Sequence, residues 1–145
     1  MVNLFPGVPA ECLCDKHLNS VLAEYNNLLM PSMRKGYSIR KYLDHGCIDL
    51  LFIGVKILDC MKEANKRGKK WKYPYLNEKD CELHGMYLDR YTKELLGSHG
   101  ENFDFTLYYF GDARRKEMAE MNMRILSFRC PECRKKIEDY QDAKV

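Results

Sequence analysis

The sequence predicts an all-helical fold in a single compact domain, on three observations. Apolar residues recur at helical spacing between residues 13 and 29, and again between residues 48 and 64. Both runs close on helix-ending residues, Pro31 and Gly68. A chain of 145 residues is long enough to bury most of its unfolded surface in one core.

The elements follow in chain order. After the start signal at Pro9, Leu13, Leu18, Val21, Leu22, Tyr25, Leu28 and Leu29 line one face of a first helix that runs to Pro31. A second helix is expected from Asp44, with Ile48, Leu51, Phe52, Val55, Leu58, Met61 and Ala64 turned inward. Lys66, Arg67 and Gly68 close it, two cations suiting the negative end of the helix dipole and a glycine suiting the left-handed cap. Because Ile48 to Leu58 is apolar on more than one face, this helix is expected to lie between others. Asn77, followed by Glu78 and Asp80, caps a third helix ending near Gly97. The glycines between His99 and Gly111, with Phe103, Phe105, Tyr108, Tyr109 and Phe110, mark an aromatic loop pressed on the core. A fourth helix is expected from Asp112 to Phe128, with Met118, Met121 and Leu126 on one face. The charged stretch 128–145, with its Cys130-x-x-Cys133, reads as a flexible or zinc-knuckle-like tail.

Composition narrows the function classes. With 46% hydrophobic and 31% charged residues, the chain has the material for a core and is not of the disordered class. No apolar run approaches the ~20 residues that cross a bilayer, and MVNLFPGVPAEC lacks the pattern of a signal peptide. An intracellular protein, monomeric and away from membranes, is expected. Seven cysteines, an odd number without disulfide-dense spacing, read as reduced thiols. The net charge of +3 permits nucleic-acid binding without requiring it.

Three groupings could carry chemistry. His17, in Asp15-Lys16-His17-Leu18, precedes Glu24 by seven residues, nearly two helical turns, so both leave the same side of the first helix about 10 Å apart along its axis. They would flank the rim of a cleft, or be an ordinary surface pair. Cys130-x-x-Cys133 has half of a zinc-site spacing, and Cys81-x-x-His84 could supply the other half. The long interval between them favours unliganded thiols, so no metal or other cofactor is assigned, and Cys12 and Cys14 read as core residues. Basic residues cluster at Arg34, Arg40 and Lys66 to Lys72; if Arg34, Arg40, Lys69 and Lys72 converge, they make a phosphate-tracking face on which Trp71 could stack a base.

Val2-Asn3-Leu4, Asp15-Lys16-His17-Leu18 and Glu24-Tyr25, in this order, resemble the start of the pyrimidine-dimer DNA glycosylases of phages and algal viruses. The close at Lys66-Arg67-Gly68 and the segment Tyr108-Tyr109-Phe110-Gly111 are similar to that family's central helix and tail, so the resemblance spans residues 1 to 111. It implies an all-helical glycosylase and AP lyase acting on damaged double-stranded DNA, at a UV dimer or an abasic site. The nucleophile would be the amine of Val2 once Met1 is removed, at a pKa of about 7.7–8.0 that leaves a usable neutral fraction. Glu24 would stabilise the charge developing on the sugar and His17 would contact the damaged strand. Where the family carries an arginine after the nucleophile this chain has Asn3, and Lys16 is the cation that could stand in for it. A member without catalysis, serving as a DNA-binding or virion protein, and a zinc-stabilised interaction module are the alternatives.

Overall fold

Proline and glycine set the path of the chain into its first helix. The Phe5 carbonyl accepts a hydrogen bond from the Val8 N–H (3.1 Å), with Pro6 and Gly7 as the central residues of the turn. Pro6 presets the first central position, and Gly7, at φ +82°, occupies the left-handed second position that an L side chain resists. A Cβ on Gly7 would also lie 2.6 Å from that of Ala119. Gly7→Ala should therefore destabilise by about 3 kcal/mol, combining left-handed strain with overpacking. In a double-mutant cycle with Ala119→Gly, about 1–2 kcal/mol of that loss should prove coupled; strict additivity would show that the contact is not the cause.

The computed structural model describes residues 3–29, 31, 32, 35, 37, 39–49, 52–68 and 111–144. Among these it is all-helical, with no strand. A short 3-10 turn at Ala10–Cys12 leads into α1 (Asp15–Glu24), which is prolonged by a π turn at Tyr25–Leu29. Next come α2 (Arg40–Asp44), α3 (Ile53–Lys66), α4 (Asp112–Arg129) and α5 (Pro131–Ala143). The expected third helix, the aromatic loop and the segment holding Lys69, Trp71 and Lys72 lie outside the described residues.

α1 packs on α3, the 3-10 turn lies against both α3 and α5, and α4 packs on α5. Leu18, Val21, Leu22, Tyr25 and Leu29 from the first helical stretch meet Ile57, Cys60, Met61 and Ala64 of α3 in one core, which Leu126 and Ile137 of the last two helices join. The opening segment runs through this assembly. The Leu4 N–H donates to the Cys47 carbonyl (2.9 Å), and the Asn122 amide of α4 donates to the carbonyls of Pro6 (3.2 Å) and Gly46 (3.4 Å).

Three expectations are corrected. Leu28 is 54% exposed, because the π turn winds wider than an α-turn and carries Leu29 inward instead. The second helix does not start at Asp44: the chain is helical over Arg40–Asp44, turns at Gly46 (φ +69°), and re-enters a helix at Ile53. That shift rotates the apolar stripe onto Ile53, Ile57, Cys60, Met61 and Ala64, and leaves Phe52 and Val55 exposed. The tail is also a formed helix. Pro131 occupies its first turn, Cys130 caps it, and Cys133 and Ile137, one turn apart, are buried. No helix among the described residues is long and apolar enough to span a membrane.

Candidate functional site

α1 brings His17 and Glu24 to one cleft of about 250 Å³, lined also by Asn3, Phe5, Ser20, Ile125, Leu126 and Arg129. The two-turn spacing thus does place both side chains on one side of the helix. The opening segment closes this cleft. The Asn3 N–H donates to Glu24 Oε2 (3.1 Å), and Asn3 Oδ1 accepts from the Phe5 N–H (2.8 Å), fixing the entry of the chain with this side chain turned back on the backbone. Burial pushes the Glu24 carboxyl above the ordinary carboxylate range, and the Asn3 N–H offsets part of that rise. Burial also lowers the His17 imidazole, with Lys16 adding to the effect and Glu132 opposing it. The Phe5 ring meets His17 edge-on at 5.9 Å.

His17 faces a second group of side chains on its other flank. Its Nδ1 lies 3.1 Å from Cys14 Sγ and 3.4 Å from Cys133 Sγ, and Cys14 Sγ lies 3.9 Å from Cys130 Sγ. The four ligand-type atoms of Cys14, His17, Cys130 and Cys133 fall within 4.8 Å of one another. Each pair straddles a helix start: Cys14 is the N-cap of α1 and Cys130 the N-cap of α5. Backbone donors point at the sulfurs. The Cys14 N–H reaches Cys133 Sγ (3.3 Å) and the Cys133 N–H reaches Cys130 Sγ (3.5 Å). Burial drives the Cys133 thiol up to about 12. Burial also works to raise the Cys130 thiol, but the Cys133 N–H and the neighbouring thiols outweigh it and hold Cys130 below its usual value.

Cys14 is therefore part of a polar cluster and not only a core residue, whereas Cys12 and Cys60 are buried thiols that burial raises to about 11. Cys81 and His84 lie outside the described residues. So do Met1, Val2, Arg34, Lys69, Trp71 and Lys72, while Lys16 and Arg40 are exposed and do not line the cleft. Arg129 lines the cleft as well, and no spacing in the sequence connects it to Glu24; the end of α4 brings it there.

A larger cavity of about 350 Å³ is lined by Leu4, Val8, Phe52, Val55, Lys56 and Arg115 among others, but its cations already have protein partners. Arg115 pairs with Asp49 (2.9 Å) and stacks on Phe52 (4.2 Å), and the Lys56 ammonium donates to the Val8 carbonyl. No known family model, curated protein or solved structure matches the chain.

Proposed function

We propose that the cleft joining the opening segment to Glu24 is the site of a DNA glycosylase with AP-lyase activity, acting on damaged double-stranded DNA. One observation carries this reading: the Asn3 N–H donates to Glu24 Oε2 at 3.1 Å, so the residue that follows Val2 is held against the carboxylate. In this reading the Val2 amine, freed by removal of Met1, attacks the sugar carbon of the damaged nucleotide. The glycosidic bond breaks, the resulting imine labilises the neighbouring C–O bond to elimination, and Glu24 shuttles the protons. A carboxyl raised above the ordinary carboxylate range by burial holds its proton more readily, which suits proton transfer. Arg129, at the cleft wall, supplies a positive charge for the strand's phosphate. The reactive carbon has to leave the stack, so extrusion of a base is part of the proposal.

Borohydride trapping on an abasic duplex tests this directly. A chain whose intact mass shows loss of Met1 should form a covalent adduct, and its N-acetylated form should not. No adduct from the unblocked chain sinks the lyase reading, and salt-sensitive DNA binding without an adduct identifies a DNA-binding protein that performs no chemistry.

Glu24→Gln should lower trapping by roughly 100-fold or more, the scale of a lost acid–base group. Its stability should move the other way. A carboxyl whose folded pKa is raised stabilises the fold below its unfolded pKa, and that contribution is lost as pH rises through the folded value. At neutral pH the neutral amide relieves this burden and still accepts from the Asn3 N–H. Melting of Glu24→Gln at or above the parent's temperature is expected, and a clear drop would mark Glu24 as a structural residue.

A further inference from the structure

We propose that Cys14, His17, Cys130 and Cys133 bind one zinc ion, which clasps the last two helices to the start of α1. Tetrahedral zinc, with Zn–S bonds of about 2.3 Å and Zn–N bonds of about 2.0–2.1 Å, sets its ligand sulfurs roughly 3.7 Å apart and sulfur and nitrogen roughly 3.5 Å apart. The observed 3.9 Å between Cys14 Sγ and Cys130 Sγ, and 3.1 and 3.4 Å from those of Cys14 and Cys133 to His17 Nδ1, each lie within about half an ångström of these separations, and all four ligand atoms fall within 4.8 Å of one another. A disulfide does not account for the cluster, since its bond is about 2.0 Å long and would leave one of three sulfurs unpaired.

The ligand pairs have the two-residue spacing of zinc sites, and each sits at a helix N-terminus whose positive end favours thiolate. The two N–H···S bonds are the outer-shell donors that such sulfurs need when they carry charge. Thiolate ligands select zinc over magnesium, calcium or manganese. With three thiolates and a neutral imidazole on the ion, all four positions are filled, so the site is structural. Binding converts three thiols and Zn²⁺ into a complex of charge −1 and releases three protons. His17 is then held through Nδ1, which leaves Nε2 as the ring nitrogen that can serve the cleft. The inference stands independently of the lyase reading, because it does not use Val2 or Glu24.

The test uses the full chain purified without chelators. Elemental analysis should find one zinc per chain, and X-ray absorption should show three sulfurs and one nitrogen around it. Cobalt titrated into stripped, reduced protein should give thiolate charge-transfer bands and tetrahedral d–d bands that saturate at one equivalent. Cys14→Ser and Cys130→Ser should each weaken cobalt binding by more than the roughly 10–100-fold typical of a lost outer-shell partner. Cys12→Ser and Cys47→Ser should leave it unchanged. A chain free of zinc that gives no cobalt bands overturns the proposal. So does a bound metal with four sulfurs or two nitrogens, or one lost in Cys81→Ser or His84→Gln but kept in Cys14→Ser. The wild-type stoichiometry and ligand count decide the matter even where a variant fails to fold.

Discussion

Stripping zinc from the Cys14–His17–Cys130–Cys133 site is expected to lower the melting temperature by on the order of 15 °C or more. Structural zinc contributes apparent binding energies of about 10–16 kcal/mol in small domains, and part of that is folding energy here. If ~5 kcal/mol of it is lost, at roughly 3 °C per kcal/mol for a chain of this size, the shift reaches that scale. The ligands lie 116 positions apart between Cys14 and Cys130, so a bound ion would restrain a long stretch of chain. Damage should be local first. α5 keeps Ile137 in the core, with Tyr140 partly buried against it, once Cys133 is released, while α3 retains Ile57, Cys60, Met61 and Ala64. Hydrogen exchange should therefore rise in α5 and at the start of α1 while α3 stays protected. An unchanged melting temperature with chelator, from protein shown to have held zinc, would mean that the ion does not restrain the fold.

Arg67→Ala is expected to destabilise by about 3 kcal/mol without altering any residue of the proposed zinc site. From the C-terminal end of α3, its Nη1 reaches Asp15 Oδ1 (3.0 Å) and its Nε reaches Glu63 Oε1 (3.0 Å). Its Nη2 donates to the carbonyls of Leu13 (2.7 Å) and Ala10 (3.4 Å). The pair with Asp15 is half in solvent and counts for little, at most about 1 kcal/mol. The carbonyl contacts decide the magnitude, because truncation strands the Leu13 carbonyl and the half-buried Glu63 carboxylate together. Lysine cannot reproduce a fork that meets four acceptors, so Arg67→Lys should recover less than half of the loss. Since Leu13 adjoins Cys14, cobalt affinity should fall as well. A denaturation midpoint within error of the parent would refute this account of Arg67.

Arg67 also shows how a sequence feature can be visible and its purpose hidden. Lys66-Arg67-Gly68 reads correctly as the end of a helix, and Gly68 at φ +67° does close it. That Arg67 then spans back to the 3-10 turn and α1 follows from the packing of α3 on both, which periodicity does not encode. The same holds at the cysteines. Cys14-x-x-His17 and Cys81-x-x-His84 have identical spacing, and each can complete a site with Cys130-x-x-Cys133. Local chemistry cannot choose between them; the approach of α5 to the start of α1 brings Cys14 and His17 to it.

What the sequence determined by itself is what rests on near neighbours. The all-helical class, the shared side of His17 and Glu24, the helix end at Gly68 and the span of α4 depend on spacing and backbone preference within a few residues. The tertiary structure alone decided the partners: Asn3 on Glu24, Arg129 in the cleft, the fourfold cluster, and the helix that the charged tail becomes. Those outcomes depend on which surfaces meet across a hundred residues of chain, where burial of apolar side chains such as Ile137 adds the tertiary packing that a short helix needs beyond its local preference.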